Sequence, residues 1–257
     1  MSSVWLQDMS WQELDKAKKK AKGVAIVPVG STEQHGYHLP LGTDSMVAMT
    51  LAEAAAEATG TVVTPPVWFG WSPHHMVLPG TITIRPEVLT ELLFDVFESL
   101  SKHGFNKIIA INGHRIVNIS WMQLAAERAQ RELGIKVVLA DPAWLSKEII
   151  AKLEFGPVGH AEEIETSHML YRYPKLVHME KAVDNPVKPH ELYSVDPTYT
   201  KDTLCYVPST VKDMQASVKA AGGTNGTPSK ADKKKGKMYH DHIVKNLVST
   251  IKNLQKA

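Results

Sequence analysis

Short apolar runs alternate with helix-patterned segments through Ala140, and this cadence constrains the fold more than any single motif. Val24–Val29, Thr61–Pro66, Lys107–Ile111 and Lys136–Ala140 read as strands. Between them, Asp44–Thr59 is Ala-rich with apolar residues at helical spacing. Arg85–His103 reads as a helix with Pro86 suited to its first turn, and residues 116–133 read as a third helix. Gly60 and Gly104 stand where helices end. Strand, helix, strand at this spacing predicts the α/β class, with a mostly parallel sheet and helices on both faces. Ligands of such sheets bind beyond the carboxyl ends of the strands. No repeat or linker interrupts the pattern, so residues 1–257 are expected to form one domain.

Composition narrows the function classes. The chain has 257 residues, 43% hydrophobic and 22% charged, ordinary globular proportions with enough apolar residues for a sizeable core. A net charge of +2 implies no polyanionic partner. The basic stretch 222–237, GGTNGTPSKADKKKGK, lacks interleaved aromatics. It reads as a solvated loop before a closing amphipathic helix at Met238–Leu254, rather than as a nucleic-acid patch. The lone Cys205 excludes an intrachain disulfide and suits a reducing, cytoplasmic compartment. No apolar window of about 18 residues is present, so no membrane span is expected. Nor does the N-terminus carry a signal-peptide apolar region.

Three polar clusters fall at the strand ends. The first follows Val29, in VGSTEQHGYHLPLGTD, where Glu33 and His35 are two apart and Asp44 lies at the start of the Ala-rich helix. Residues i and i+2 of a strand face the same way, and Asp44 at a helix start suits a cap. A carboxylate, an imidazole and a second carboxylate form a ligand set for Zn²⁺, Mn²⁺ or Fe²⁺. The second cluster is Asn112-Gly113-His114, after the run IIAI. Gly113 permits a tight turn that projects His114 over the sheet edge. The third, GHAEEIETSHML at 159–170, groups three carboxylates with two histidines before an apolar helical stretch. Glu162 and Glu165 share a helix face there while Glu163 points elsewhere, and the helix macrodipole accounts for one of the three acids. Such groups are costly to bury without a cation.

These segments resemble the creatininase family. The matching pieces are VGSTEQHGYHLPLGTD, LPGTITI at Leu78–Ile84, INGH at 111–114, GHAEEIETSHML at 159–170 and, more weakly, GTPSKADKKKG at 226–236. They fall in order and cover nearly the whole chain. The resemblance implies a single three-layer α/β/α domain holding two divalent ions, zinc or manganese with iron as a further option. It implies a homo-oligomer, with a hexamer favoured. It makes Glu33, His35, Asp44, His114 and Glu165 the metal ligands, with Asp44 bridging. His160 matches the acid/base histidine beside the substrate, and Trp144 matches an aromatic lining the pocket.

The sequence also departs from creatininase itself, which has a tyrosine and a ligating glutamate directly after Asn-Gly-His. Here Arg115-Ile116-Val117-Asn118 follows, and no tryptophan occurs in Phe155–Val158. Arg115, His74, His75 and His168 are therefore expected to make a donor-rich site. Arg115 and His75 are expected to contact substrate. Such a site suits polyhydroxylated or keto substrates better than a flat neutral ring. The GHRIVN and HAEEIETSHM contexts look more like family members that hydrolyse oxidised inositols of the 3-dehydro-scyllo-inosose type. The expectation is a small-molecule ring-opening hydrolase leaning to that C–C cleavage. A cyclic amidohydrolase is the alternative within the family. A non-catalytic metal- or sugar-binding module and a one-metal oxygenase are the alternatives outside it.

Overall fold

The computed structural model describes residues 3–186, 190, 192–194 and 205–256. In chain order the elements are α1 (Trp11–Ala21), β1 (Val24–Val29), α2 (Thr43–Thr59), β2 (Val62–Val63), α3 (Pro86–Lys102), β3 (Lys107–Asn112), α4 (Ile119–Leu133) and β4 (Lys136–Ala140). They continue with α5 (Pro142–Leu145), α6 (Lys147–Lys152), α7 (Glu163–Arg172), β5 (Tyr193–Ser194), β6 (Cys205–Tyr206), α8 (Val211–Ala221) and α9 (Lys233–Lys256). The first four strands form one parallel sheet in the order β2-β1-β3-β4.

Alternation along each strand builds the two cores. Val24 and Ile26 of β1, with Ile109 and Ile111 of β3, face α2, α7 and α9. Ala25, Val27 and Val29, with Ile108 and Ala110, face α3 and α4. All six residues of β1 are buried, as a strand covered on both faces requires. On the helical side, Leu51, Ala52, Ala55 and Ala56 of α2 bury one face, and the small alanines let α9 approach closely. The result is the expected helix–sheet–helix layering.

Three local readings are corrected. The strand expected at Thr61–Pro66 is only Val62–Val63, because Pro65 and Pro66 have no N–H to continue a ladder. The third helix starts at Ile119, since Ile116 adopts a left-handed φ of 63° that breaks helical geometry. The stretch read as a solvated loop is not one at its start. Gly222, Gly223 and Thr224 are buried, and Asn225 pairs with His160 through both backbone bonds. The closing helix takes in the lysines from Lys233 onward.

The site is set where β1 and β3 end against the first turn of α2. Gly113 N–H donates to Val29 O, tying the two strand ends together. A Cβ on Gly113 would stand 1.9 Å from Asp44 O, and one on Gly30 would stand 2.2 Å from Ser45 Oγ. Only glycine lets both strand ends press onto α2 so closely. His114, next in the chain, is thereby placed against Asp44.

Candidate metal centre

Asp44 is not the cap of α2; Gly42 holds that position, and Asp44 sits in the first turn. There its two oxygens are divided between two imidazoles. Oδ1 is 3.1 Å from His35 Nε2, and Oδ2 is 3.0 Å from His114 Nδ1. His114 Nε2 lies 3.4 Å from Glu33 Oε2 on its other side. Glu165, from the first turn of α7, brings Oε2 to 3.9 Å from His35 Nε2. Glu33, His35, Asp44, His114 and Glu165 thus converge from the ends of β1 and β3 and from α2 and α7, and all five are buried.

The electrostatics of this cluster are those of a place made for cations. Burial alone would lower the His35 pKa, but Asp44, Glu165 and Glu33 outweigh it and push it up to about 10. His114 is likewise depressed by burial and pushed up, by Glu33 and Asp44, to about 9. Burial would raise Asp44, yet the two imidazoles hold it well below the carboxylate range. Burial keeps Glu33 raised despite His114. Glu33 Oε1 and Asp44 Oδ2 are buried without an aligned hydrogen-bond donor, a costly condition for carboxylate oxygens. Acidic oxygens and imidazole nitrogens within reach of one another, with two oxygens unsatisfied, fit divalent metal ions. Three such groups occur among the described residues: Glu33–His35–Asp44, His35–His160–Glu165 and Glu33–His75–His160.

Supporting groups fix these side chains in place. Ser31 and Ser72 hydroxyls donate to Glu33 Oε2, Ser31 at 2.9 Å. His35 Nδ1 meets Glu33 O at 3.1 Å. Asp141, at the carboxyl end of β4, receives Asn112 Nδ2 at 2.8 Å and Ile116 N at 2.6 Å, which pins the His114–Ile116 turn. Asn118 Nδ2 donates to Gly30 O at 3.0 Å. The sequence reading misses Gln34, Ser31, Ser72 and Asp141. Their one signal is that each polar side chain follows, or packs beside, a strand's carboxyl end.

The remaining candidates divide. His75, His114, Arg115, His160 and Glu165 line a cavity of about 1050 Å³ that also touches Trp71, His74 and α8. The Arg115 guanidinium is buried and engaged. It lies 2.7 Å from Glu165 Oε1, 2.9 Å from Glu162 Oε1 and 3.3 Å from Gly159 O. Burial raises Glu162 to about 7 even beside Arg115. Trp144 does not line this cavity; it stands on α5, 47% exposed. His168 is also placed elsewhere. It is buried between α7 and α9, with Nε2 2.9 Å from His240 Nδ1, and does not line the cavity.

Known proteins bear out the resemblance. The family described as creatininase (creatinine amidohydrolase) matches residues 7–251. The chain belongs to the creatininase family. It is 31% identical to the 3-dehydro-scyllo-inosose hydrolase of Thermotoga maritima over 73% of this chain and 62% of that protein's length. It is 26% identical to the creatinine amidohydrolase of Pseudomonas putida, over 97% of this chain and 96% of the relative. A solved mutant creatininase of Zn-Zn type superposes with a TM-score of 0.82 at 25% identity, covering 98% of both chains. This creatininase-family chain has, among its described residues, no helix long and apolar enough to cross a membrane.

Proposed function

We propose that this chain is a hydrolase, dependent on two divalent metal ions, that opens a small polar cyclic substrate, an oxidised inositol in first place. The observation that carries the reading is Asp44 set between His35 and His114 with one oxygen turned to each. That is the disposition a bridging carboxylate needs. Glu33 and His114 would complete one position, His35 and Glu165 the other. Bound there, such ions supply Lewis acidity and a water acidic enough to ionise near neutral pH.

The protein's own groups do the rest. His160 lines the cavity beside Glu33 and His35. Burial, then the charge of His35, pushes its pKa well below the imidazole range; a neutral imidazole in that place could accept a proton and return it. For a cyclic 1,3-diketone the balance is simple. The oxygen of water ends on the attacked carbonyl carbon as a carboxylic acid. The adjacent C–C bond breaks, its electron pair held as an enolate by the second carbonyl, and the leaving carbon takes the proton. For a cyclic amide the leaving atom is nitrogen and takes the proton directly.

The lean toward the diketone rests on the match to the inosose hydrolase and on Arg115 standing where creatininase has a tyrosine before its ligating glutamate. The amide reading is favoured by the near full-length match to a creatinine amidohydrolase. A non-catalytic module fits less well, because the cluster opens onto a cavity of substrate size or larger. The homo-oligomer expected of the family remains part of the proposal. The test is product mass from the zinc- or manganese-loaded protein given an oxidised inositol, a cyclic amide and creatinine in parallel. Ring-opened diketone with weak or no creatinine turnover supports the first reading. Efficient creatinine hydrolysis overturns it.

A further inference from the structure

Gln34 lies between the first two ligand residues in sequence and is buried at 3% exposure, yet its side chain reaches away from them. Its Oε1 accepts Gly36 N–H at 2.9 Å. That bond fixes which end of the amide is which, so Nε2 is the donor. The surroundings of Nε2 agree: Gly223 O at 3.4 Å and Met214 Sδ at 3.7 Å are both acceptors. The atom closest to Nε2 is His75 Nδ1, at 2.7 Å. An N–H₂ group can bond to that nitrogen only through its lone pair. A neutral His75 must then carry its proton on Nε2, and Nε2 stands 3.3 Å from Glu33 Oε1.

The backbone of the same residue orients a second ring. His160 Nε2 is 2.6 Å from Gln34 O. A carbonyl only accepts, so Nε2 carries the proton and the lone pair of neutral His160 is on Nδ1. Gln34 Nε2 also passes 3.1 Å from His160 Nε2, but with that ring proton committed to the shorter carbonyl contact, the two donors only pass each other. The Nδ1 lone pair lies 3.6 Å from the same Glu33 Oε1. His75 thus turns its proton toward Glu33, and His160 turns its lone pair that way. The two rings lie 4.4 Å apart between centroids. Thr81 holds the arrangement together, its hydroxyl accepting Gln34 N–H and donating to His75 O.

We infer that Gln34 is a positioning residue that fixes the tautomers of His75 and His160, so that His75 offers Glu33 a proton and His160 offers the cavity a base. On this reading the Glu33–His75–His160 group is not a metal site. Glu33, His75 and His160 are close enough, but ligation through His75 Nε2 would move its proton to Nδ1, against the Gln34 N–H₂ donor at 2.7 Å. His75 instead sets its N–H edge 3.3 Å from Glu33 Oε1, near but not aligned as a hydrogen bond, so that oxygen stays available to a metal ion. The consequence for turnover rests on the hydrolase reading; the tautomers do not.

The test therefore starts on metal-free protein. Histidine-labelled wild type is read by the ¹⁵N shifts of its imidazoles, with the His75 and His160 signals assigned by their loss in His75→Asn and His160→Asn. Both are expected as neutral rings protonated at Nε2. Gln34→Glu is isosteric and keeps an acceptor for Gly36, but it presents carboxylate oxygen to His75 Nδ1. It should move the His75 proton to Nδ1 and leave His160, held by the backbone, unchanged. Gln34→Met, which removes the donor and adds none, should leave His75 as a mixture. A wild-type His75 protonated at Nδ1, or a His75 signal unmoved in both variants, overturns the inference. In the metal-loaded enzyme Gln34→Glu should cost roughly 10–100-fold in turnover. Normal turnover despite a moved proton would remove the functional half. A protein inactive on every substrate would sink the hydrolase reading and leave the tautomer result standing.

Discussion

Asp44 is the residue on which the two halves of the site depend, because its carboxylate contacts both imidazoles. Asp44→Ala should abolish binding of both ions, whereas His35→Ala should mainly weaken one. Elemental analysis of each purified variant checks this, with a turnover loss of at least about 100-fold expected for either. Full metal content in Asp44→Ala would refute the bridging role. His160 lines the same cavity, and its proposed part is to carry a proton rather than to hold a metal. His160→Ala should fold and keep its metals but lose roughly 10²–10⁴ in rate. A fall in metal content would instead make it a ligand, and near-normal rate would remove it from the chemistry. At this scale the sequence is legible where carboxylates and imidazoles gather at strand ends, a grouping costly to bury without a cation. Glu33, His35, Asp44 and His114 stand out after apolar runs. Gln34, Ser72 and Asp141 do not, because an amide, a hydroxyl or an extra carboxylate beside a strand has many ordinary uses.

Elements are legible in the sequence where the physics is local. The bounds of β1 and β4 follow from continuous apolar runs, and the end of α2 from Gly60, which takes the left-handed conformation. They are least legible where a distant group decides. Asp141 of the β4 end captures Ile116 N–H, so the chain turns there instead of starting α4. Ile116 at φ 63° and Ala161 at φ 51° are non-glycine left-handed residues directly after Arg115 and His160. Such strain persists only where surrounding contacts impose it, and no local pattern announces it. The close approach of β3 to α2 gives a direct test. Gly113→Ala would drive a methyl group into Asp44 O, and the strand end or the helix start must shift. The denaturation midpoint should fall by the equivalent of about 1–3 kcal/mol, as for overpacked cores. Zinc affinity should fall with it, since His114 and Asp44 move apart. An unchanged midpoint and affinity would mean that the junction yields easily.

At the scale of the whole molecule, the centre ties strand ends and helices together through charge. Glu33 and His35 follow β1, His114 follows β3, and Asp44 and Glu165 come from helices on one face, with the Arg115 guanidinium held against Glu165. Without metal, protons on His35 and His114 do what ions would do. Their pKa values, about 10 and about 9, both lie above neutrality. At pH 7 both rings therefore hold an extra proton, and coordination requires each to give it up. Metal binding at pH 7 should release about two protons, with any carried by the burial-raised Glu33 adding to this. Apparent affinity should climb as pH rises from about 7 toward 9, because less proton must be displaced. Zinc titration calorimetry in buffers of different ionisation enthalpy reads the release directly. The same linkage makes the ions part of the fold's stability. At free metal about 100 times the dissociation constant, one site adds about 2.7 kcal/mol. Chelation should then lower the melting temperature, and the drop should disappear in Asp44→Ala. Zinc binding with no proton release, or a melting temperature indifferent to chelator, would show that these imidazoles are not the groups the metal displaces protons from.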